Sequence, residues 1–468
     1  MRAYAPVQRV VGMLLMFLSI SFVPPLLFAW FAHDGAAPAF VTSMLAVAAT
    51  GAALYLPVRA NRRELRIADG FLVVFACWAA VCLAGSIPFV LVLDSGLANA
   101  VFETVSGITT TGATVFTGLD EMPISIKWYR QQLQWLGGLG IIVLAVAILP
   151  MLRIGGMEIY RAEVTGPVKE NRLTPRIAQT AKALWLIYLG LTLLCALALW
   201  AAGMSLFDAF AHSFSTVATG GFSPYDASIG HFDNPLIEWL LVIFMFAAGL
   251  NFALHYLATR RATMQIYLRD PEVRLFTTLV VALAGLITLQ LWGQGAIAGF
   301  GESLRLGAFQ TVSYITTTGF GTADISVWPG TLPLMMILIS GLGGCAGSTT
   351  GGFKTVRVYL VSKQGLRELR RLIHPRSVLP LKFGGKTLRE EVANAVWGFL
   401  SLYIVCVVIL TMIVASIEND LVTAISIVFS AINNLGPALG EAAANWGGLS
   451  DATKWLMSFA MLLGRLEI

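Results

Sequence analysis

Four segments of this chain, 97–112 (LANAVFETVSGITTTG), 206–221 (LFDAFAHSFSTVATGG), 304–319 (LRLGAFQTVSYITTTG) and 421–436 (LVTAISIVFSAINNLG), align without gaps. They share a starting leucine (Leu97, Leu206, Leu304, Leu421) and a small residue three places on (Ala100, Ala209, Gly307, Ala424). A serine follows nine places on (Ser106, Ser215, Ser313, Ser430) and a glycine fifteen places on (Gly112, Gly221, Gly319, Gly436). Each segment is too short and too interrupted by polar residues to cross a bilayer, whose core of about 30 Å needs around 20 helical residues. Each nevertheless lies between apolar runs that are long enough. The chain therefore reads as a unit of span, half-helix, glycine loop and span, written four times.

The flanking runs are continuous and not alternating, so they are helices and not barrel strands. Full spans are expected near 10–31, 38–57, 70–93, 130–150, 183–203, 235–257, 274–293, 331–342 continuing irregularly to about 358, 393–416 and 452–468. With 57% apolar and 12% charged residues and a mean hydropathy of +0.76, a soluble enzyme is excluded and an all-α polytopic membrane protein remains. The first run is too long for a cleaved signal and contains Pro24-Pro25. The last breaks off at Gly464-Arg465-Leu466-Glu467-Ile468, which reads as a truncation. Cys77, Cys82, Cys195, Cys345 and Cys406 lie in or beside apolar runs with no metal-ligand spacing, and read as buried small residues.

Charge sets the expected orientation. Loops 59–66, 153–182, 260–274 and 354–389, with Arg2 and Arg9, carry most of the 31 Lys and Arg residues and are expected in the cytoplasm. The opposite connections are acidic (Asp94, Asp120, Asp208, Asp226, Asp233, Glu302, Asp324, Glu418, Asp420), and an acidic rim concentrates cations at a pore mouth.

A half-helix of about ten residues ending in a Thr/Gly or Asn/Gly segment puts non-helical backbone at membrane depth, which is tolerated only inside protein or along a water-filled cavity. Four such segments about one axis present backbone carbonyls as a ring that replaces a cation's hydration shell, with the negative ends of the half-helices aimed at the same place. Glycine suits the fifteenth position because positive φ is open to it. Thr110, Thr219, Thr317 and Asn434, two places earlier, offer side-chain oxygens or simply cap the half-helix. The candidate ion-binding residues are thus Thr110, Thr111, Gly112, Thr219, Gly220, Gly221, Thr317, Thr318, Gly319, Asn434, Leu435 and Gly436. Glu103 and His212, each nine before a glycine, are candidates for support behind the loops or for ion ligands.

At these residues (TTTG at 109–112, ATGGF at 218–222, TTTGFG at 316–321, NNLGPALG at 433–440) the chain resembles the Trk/Ktr/HKT superfamily of potassium transporters, and within it the TrkH type. The additional N-terminal helix pair favours TrkH over the shorter KtrB subunits. The resemblance implies four tandem M1-P-M2 units around a central pore: an N-terminal pair over 1–69, then units at 70–182, 183–272, 273–385 and 386–468. It implies potassium as the transported ion, with no cofactor, at the bacterial inner membrane with the acidic loops periplasmic. It further implies a homodimer bound to a cytoplasmic TrkA-like nucleotide-binding subunit. In the superfamily a serine at the first filter glycine goes with sodium; Gly112 stands there and argues for potassium. A sodium- or proton-coupled symporter of the same fold, or a poorly selective K⁺/Na⁺ pathway, is the alternative.

A second glycine-rich run falls in mid-membrane, where each glycine costs about 1 kcal/mol of helix relative to alanine. Gly343, Gly344, Cys345, Ala346, Gly347, Ser348, Thr349, Thr350, Gly351 and Gly352 resemble the intramembrane loop that obstructs the pore in this family. Arg465, a basic residue within the final apolar run, is costly enough there to be a functional candidate, and the resemblance points it at that loop. Lys354 and Arg357 are either pore-mouth charges or the inner anchor of the span. No Walker A or GxGxxG pattern followed by a strand occurs, so nucleotide control has to come from another chain. Nothing points to nucleic acid. An enzyme needs catalytic groups on inward-facing spans, where Glu238 alone is expected, and the four units run in one direction, unlike the inverted repeats of many secondary transporters.

Overall fold

The computed structural model describes residues 4–60, 67–143, 173–375, 377, 379–384, 386–388 and 390–466. The basic stretch 61–66 and most of the inner loop expected at 153–182 lie outside the described residues.

Helices α1 (Ala5–Ile20) and α2 (Val23–Ala32) make one apolar span broken just before Pro24, and α3 (Ala37–Tyr55) packs against α1. Then the repeat begins. The first unit comprises α4 (Ile67–Gly85) with α5 (Ile87–Leu93), the half-helix α6 (Leu97–Ile108) and α7 (Ile124–Val143). The second comprises α8 (Leu173–Ala201), the half-helix α9 (Leu206–Ala218), α10 (Pro235–Ala248) and α11 (Phe252–Arg261). A short α12 (Gln265–Arg269) leads into the third: α13 (Pro271–Gly293), the half-helix α14 (Phe300–Ile315), α15 (Leu332–Ser340), the glycine run, and α16 (Thr355–Ile373). A small antiparallel hairpin, β1 (Lys382–Phe383) and β2 (Lys386–Thr387), precedes the fourth: α17 (Glu390–Glu418), the half-helix α18 (Leu421–Asn433) and α19 (Asp451–Leu466).

Local chemistry starts several of these helices. Ser205 accepts from the Asp208 amide at 3.1 Å to begin α9, and Asp420 accepts from the Val422 and Thr423 amides at 3.1 Å to begin α18. Such caps are worth about 1 kcal/mol each. The half-helices are enclosed: every residue of α6 from Ala100 to Ile108 is buried, including Glu103, Thr104 and Ser106. By contrast α17 buries only Val392, Ala393, Val396, Leu410 and Val414 within its 29 residues, as an apolar helix facing lipid should. Three buried cores result among the described residues, the smallest joining Ala346 and Phe353 to α16 and to the start of α17. Of the two larger, one joins the N-terminal helices with units one and four, and the other joins units two and three.

Three expectations need correction. Ten full spans are not found: among the described residues six stretches are long and apolar enough, and a seventh counts only if α10 and α11, bent by 96°, are one span. The expected straight span at 235–257 is that bent pair. Its break has a local cause, because Asn251 caps α11 by accepting from the Ala253 amide at 2.8 Å, while the Gly249 carbonyl is drawn off to bond the Cys345 amide at 2.8 Å. Residues 144–150 of the span expected at 130–150 lie outside the described residues, and the described parts of α7 and α19 are polar because they pack inside the protein. Thus α7 buries Arg130, Gln131, Gln132 and Gln134, and α19 buries Thr453, Lys454 and Arg465. The inner segment 354–389, read only as a basic loop, begins with α16, whose buried Val356, Leu360, Gln364 and Arg367 follow a helical spacing.

Candidate functional site

Each half-helix ends in the same way. Thr110, Thr219, Thr317 and Asn434 take left-handed conformations at φ of 54, 53, 52 and 54°. The following amides, those of Thr111, Gly220, Thr318 and Leu435, reach back to the carbonyls of Ser106, Ser215, Ser313 and Ser430 at 2.8, 2.8, 2.8 and 2.9 Å. This is the Schellman closure, normally completed by glycine or asparagine, here made with threonine in three of four cases. The repeated serine, noted in the sequence without a role, supplies that acceptor. Its hydroxyl then ties down the outgoing limb in two units: Ser106 Oγ donates to Ala113 O at 2.6 Å and Ser313 Oγ to Phe320 O at 2.8 Å.

The four glycines follow at φ of 82, 78, 79 and 98°, for Gly112, Gly221, Gly319 and Gly436. A Cβ added to Gly112 would strike the carbonyl oxygen of Gly220, one on Gly221 that of Thr318, one on Gly319 that of Leu435, and one on Gly436 that of Thr111. Unit one thus abuts unit two, two abuts three, three abuts four, and four abuts one. The contacts close a ring in which every glycine meets the residue just before its neighbour's glycine. Such a ring brings four carbonyl-bearing turns together in an interior lined by half-helices, an arrangement in which carbonyl dipoles can act as cation ligands.

Behind the ring, Glu103 and His212 are supports and touch no open space. Glu103 Oε2 accepts from the Val115 amide at 3.0 Å, and its Oε1 pairs with Arg130 Nε at 2.8 Å. His212 Nε2 lies 3.1 Å from Ser223 Oγ. In the fourth unit the equivalent place is Ile427, and Ser426 does the work instead, its Oγ accepting from the Leu439 amide at 3.0 Å. Arg130, not singled out in the sequence, also donates to Ser223 O at 2.9 Å and covers the Phe222 ring at 4.2 Å. It therefore bolts the outgoing limb of unit one to that of unit two. A lone carboxylate in an apolar half-helix was the signal that such a partner had to exist. Gln134 was missed as well; its Nε2 donates to Gly220 O and its Oε1 accepts from the Phe222 amide at 3.0 Å.

Removing one side of the buried Glu103–Arg130 pair leaves a charge without its counter-ion. Glu103→Ala is expected to cost about 3–5 kcal/mol of stability, and Glu103→Leu combined with Arg130→Met less than the sum of the two single changes. Thermal unfolding of the detergent-purified protein measures both, and strict additivity would contradict the pairing.

The glycine run lies against this ring. Its Gly351 amide donates to Thr317 Oγ1 at 2.7 Å and its Gly352 amide to Asn433 O at 3.1 Å, while Thr349 Oγ1 donates to Val217 O at 3.0 Å. The break between α10 and α11 grips its other edge, with Phe252 N–H on Gly347 O at 3.1 Å. Glu272, at the start of α13, accepts from the Ala346 amide at 2.8 Å and the Val356 amide at 3.2 Å, tying the run to the first turn of α16. Arg465 Nη1 donates to Thr349 O at 2.9 Å, bringing together the two features the sequence paired. Lys354 turns back onto the Thr350 carbonyl, and Arg357 stacks over Phe399 at 4.5 Å. Glu238 is spent on an ion pair with Arg305 at 2.6 Å. All five cysteines are free thiols.

A family model described as TrkH, a cation transport protein, matches residues 36–468. The chain is 48% identical over 464 residues to the Trk system potassium uptake protein TrkH of Halomonas elongata, covering 99% of this chain and 96% of that one. It is 37% identical over 466 residues to the Trk system potassium uptake protein TrkG of Escherichia coli, again covering 99% of this chain and 96% of the relative. Among solved structures, the crystal structure of the potassium transporter TrkH from Vibrio parahaemolyticus superimposes with a TM-score of 0.92 at 44% identity, covering 100% of this chain and 97% of that chain.

Proposed function

Because the chain belongs to the TrkH family of cation transport proteins, we propose that it takes potassium into a bacterial cell through a pore on the axis of the glycine ring. The observation that carries this reading is the closed order of contacts among Gly112, Gly221, Gly319 and Gly436. In this reading the residues 110–112, 219–221, 317–319 and 434–436 select the ion, and the chain divides into an N-terminal pair over 1–69 and units at 70–182, 183–272, 273–385 and 386–468. Residues 343–352 with Arg465 gate the path from the inner side. The basic inner segments and the acidic ring-side loops support an orientation with the latter in the periplasm. Transport, not catalysis, is the activity.

Membrane potential supplies about 2.3 kcal/mol per charge per 100 mV, enough for roughly several tens-fold accumulation of a monovalent cation. The test is growth of a potassium-uptake-deficient bacterium at low K⁺, with Rb⁺ flux in proteoliposomes under imposed K⁺, Na⁺ and pH gradients. Failure to restore growth together with absence of Rb⁺ flux would overturn the reading, and the gradients assign the driving force.

The working form is a homodimer with a cytoplasmic TrkA-like nucleotide-binding subunit. This rests on the lack of any nucleotide motif in the chain and on the basic α16, with Arg367, Arg370 and Arg371. Co-purification from native membranes is expected to bring down such a subunit, and adding nucleotide to change flux. A transporter that purifies alone and ignores nucleotide would count against it.

A further inference from the structure

The four side chains two places before the ring glycines are equivalent in the repeat and share one backbone conformation, yet they are engaged differently. Thr317 Oγ1 accepts from the Gly351 amide, and Thr219 Oγ1, which donates to Ala218 O at 2.7 Å, also lies 3.3 Å from Thr349 Oγ1, so the glycine run abuts both. Thr110 Oγ1 and Asn434 Oδ1 have no hydrogen-bond partner among the described residues, although each residue is only 1% exposed. The Asn434 amide has its orientation set by its other end: Nδ2 donates to Met461 O at 2.9 Å and to Thr111 Oγ1 at 3.0 Å, and only nitrogen can donate to a carbonyl. The oxygen is the atom left over. Buried oxygens without donors are costly and rare, so two of them at equivalent places in adjoining units mark a position made for a ligand that carries positive charge. The division follows the two larger cores, the engaged pair coming from units two and three and the open pair from units four and one.

We infer that this level is a site contested between the glycine run and a dehydrated monovalent cation. With the run docked, only Thr110 Oγ1 and Asn434 Oδ1 remain for the cation. With the run withdrawn, the hydroxyls of Thr219 and Thr317 complete a set of four hard oxygens. A cation that binds the full set better than the half set displaces the run by the same factor by which the docked run weakens the cation. The transported ion therefore helps to open its own path, and Thr219 and Thr317 are the residues through which it does so. This inference rests on the reading of the ring as an ion site.

Hydrogen exchange of the full-length protein in lipid nanodiscs, followed by mass spectrometry, tests it. Peptides covering 341–355 are expected to exchange about fivefold faster or more in K⁺ than in N-methyl-D-glucamine, the lower end of typical coupling factors. Peptides covering 105–113 should move the opposite way, since a bound cation steadies the ring. In Thr317→Val and in Thr219→Val the run should exchange fast with or without K⁺, whereas Thr110→Val, whose hydroxyl touches no residue of the run, should keep it protected without K⁺. Exchange over 341–355 that is equal or slower in K⁺ in the unmodified protein overturns the inference. So does loss of protection in Thr110→Val matching that in Thr317→Val. Rb⁺ flux of the same purified protein in proteoliposomes separates the two failures: selective flux with K⁺-independent exchange overturns the contest and leaves the permeation reading standing, whereas absence of flux overturns the permeation reading.

Discussion

Gly319→Ser is expected to raise the K⁺ concentration for half-maximal uptake at least about tenfold and to admit Na⁺. Two separate penalties act at this position. The backbone stands at φ 79°, where an L side chain costs roughly 1–2 kcal/mol. The new Cβ would also occupy the space of the Leu435 carbonyl oxygen and come within 2.8 Å of Pro437 Cδ. The clash is with backbone, so the neighbouring turn has to move, and a displaced carbonyl no longer matches the ion it was spaced for. A tenfold change corresponds to only about 1.4 kcal/mol, less than the two penalties combined. Uptake by a deficient bacterium, titrated with K⁺ in the presence and absence of Na⁺, is the measurement. Unchanged affinity and unchanged discrimination would remove Gly319 from the selective ring.

The second large effect is expected at the inner gate. Arg465→Ala, and separately a deletion within 346–350, should raise K⁺ or Rb⁺ flux of the purified protein about tenfold or more when normalised to folded protein. A hydrogen bond from a charged donor contributes about 1.5–3 kcal/mol, and the Arg465 bond to Thr349 O is made to the docked run. Losing it shifts the docked population by a corresponding factor. A residue that merely packed would lower stability and flux together when removed. Wild-type-like or reduced flux in both variants would show that the run and Arg465 do not form the gate.

What the sequence conveyed was whatever is local. The φ requirement at Gly112 and its three counterparts, and the oxygen-bearing residue two places earlier, are properties of single turns, so their repetition could be read directly. The meeting of Gly436 with Thr111 could not, because nothing in either segment names the other across more than 300 intervening residues. The serine common to all four segments was visible as a pattern, but its use as the acceptor that closes each turn required the backbone path. Apolar composition misjudged the helices that face protein: α7 turns Gln131 and Gln134 toward the second unit's half-helix and loop and Gln132 toward the N-terminal helices, and the α10–α11 bend hides in a largely hydrophobic stretch. Gly249 and Asn251 were the available signal for that bend, one a weak helix former and the other a good N-cap. The small side chains of the glycine run gave no sign of what holds it. Its restraints come instead from Glu272, Thr317, Asn433 and Gly249, none of which lies in the run.

All four turns of the ring are encoded separately in one polypeptide. In a pore assembled from four copies of one subunit, any change arises in every quadrant at once, and an uneven ring cannot be inherited. Here Asn434 stands among three threonines, and the place before the glycine holds Thr111, Gly220, Thr318 and Leu435 in turn. Separate encoding lets one quadrant change while the other three stay as they are, so a mutation is met at a quarter of the dose. The second quadrant carries no side chain at Gly220, and Gln134 occupies the space a Cβ would need there.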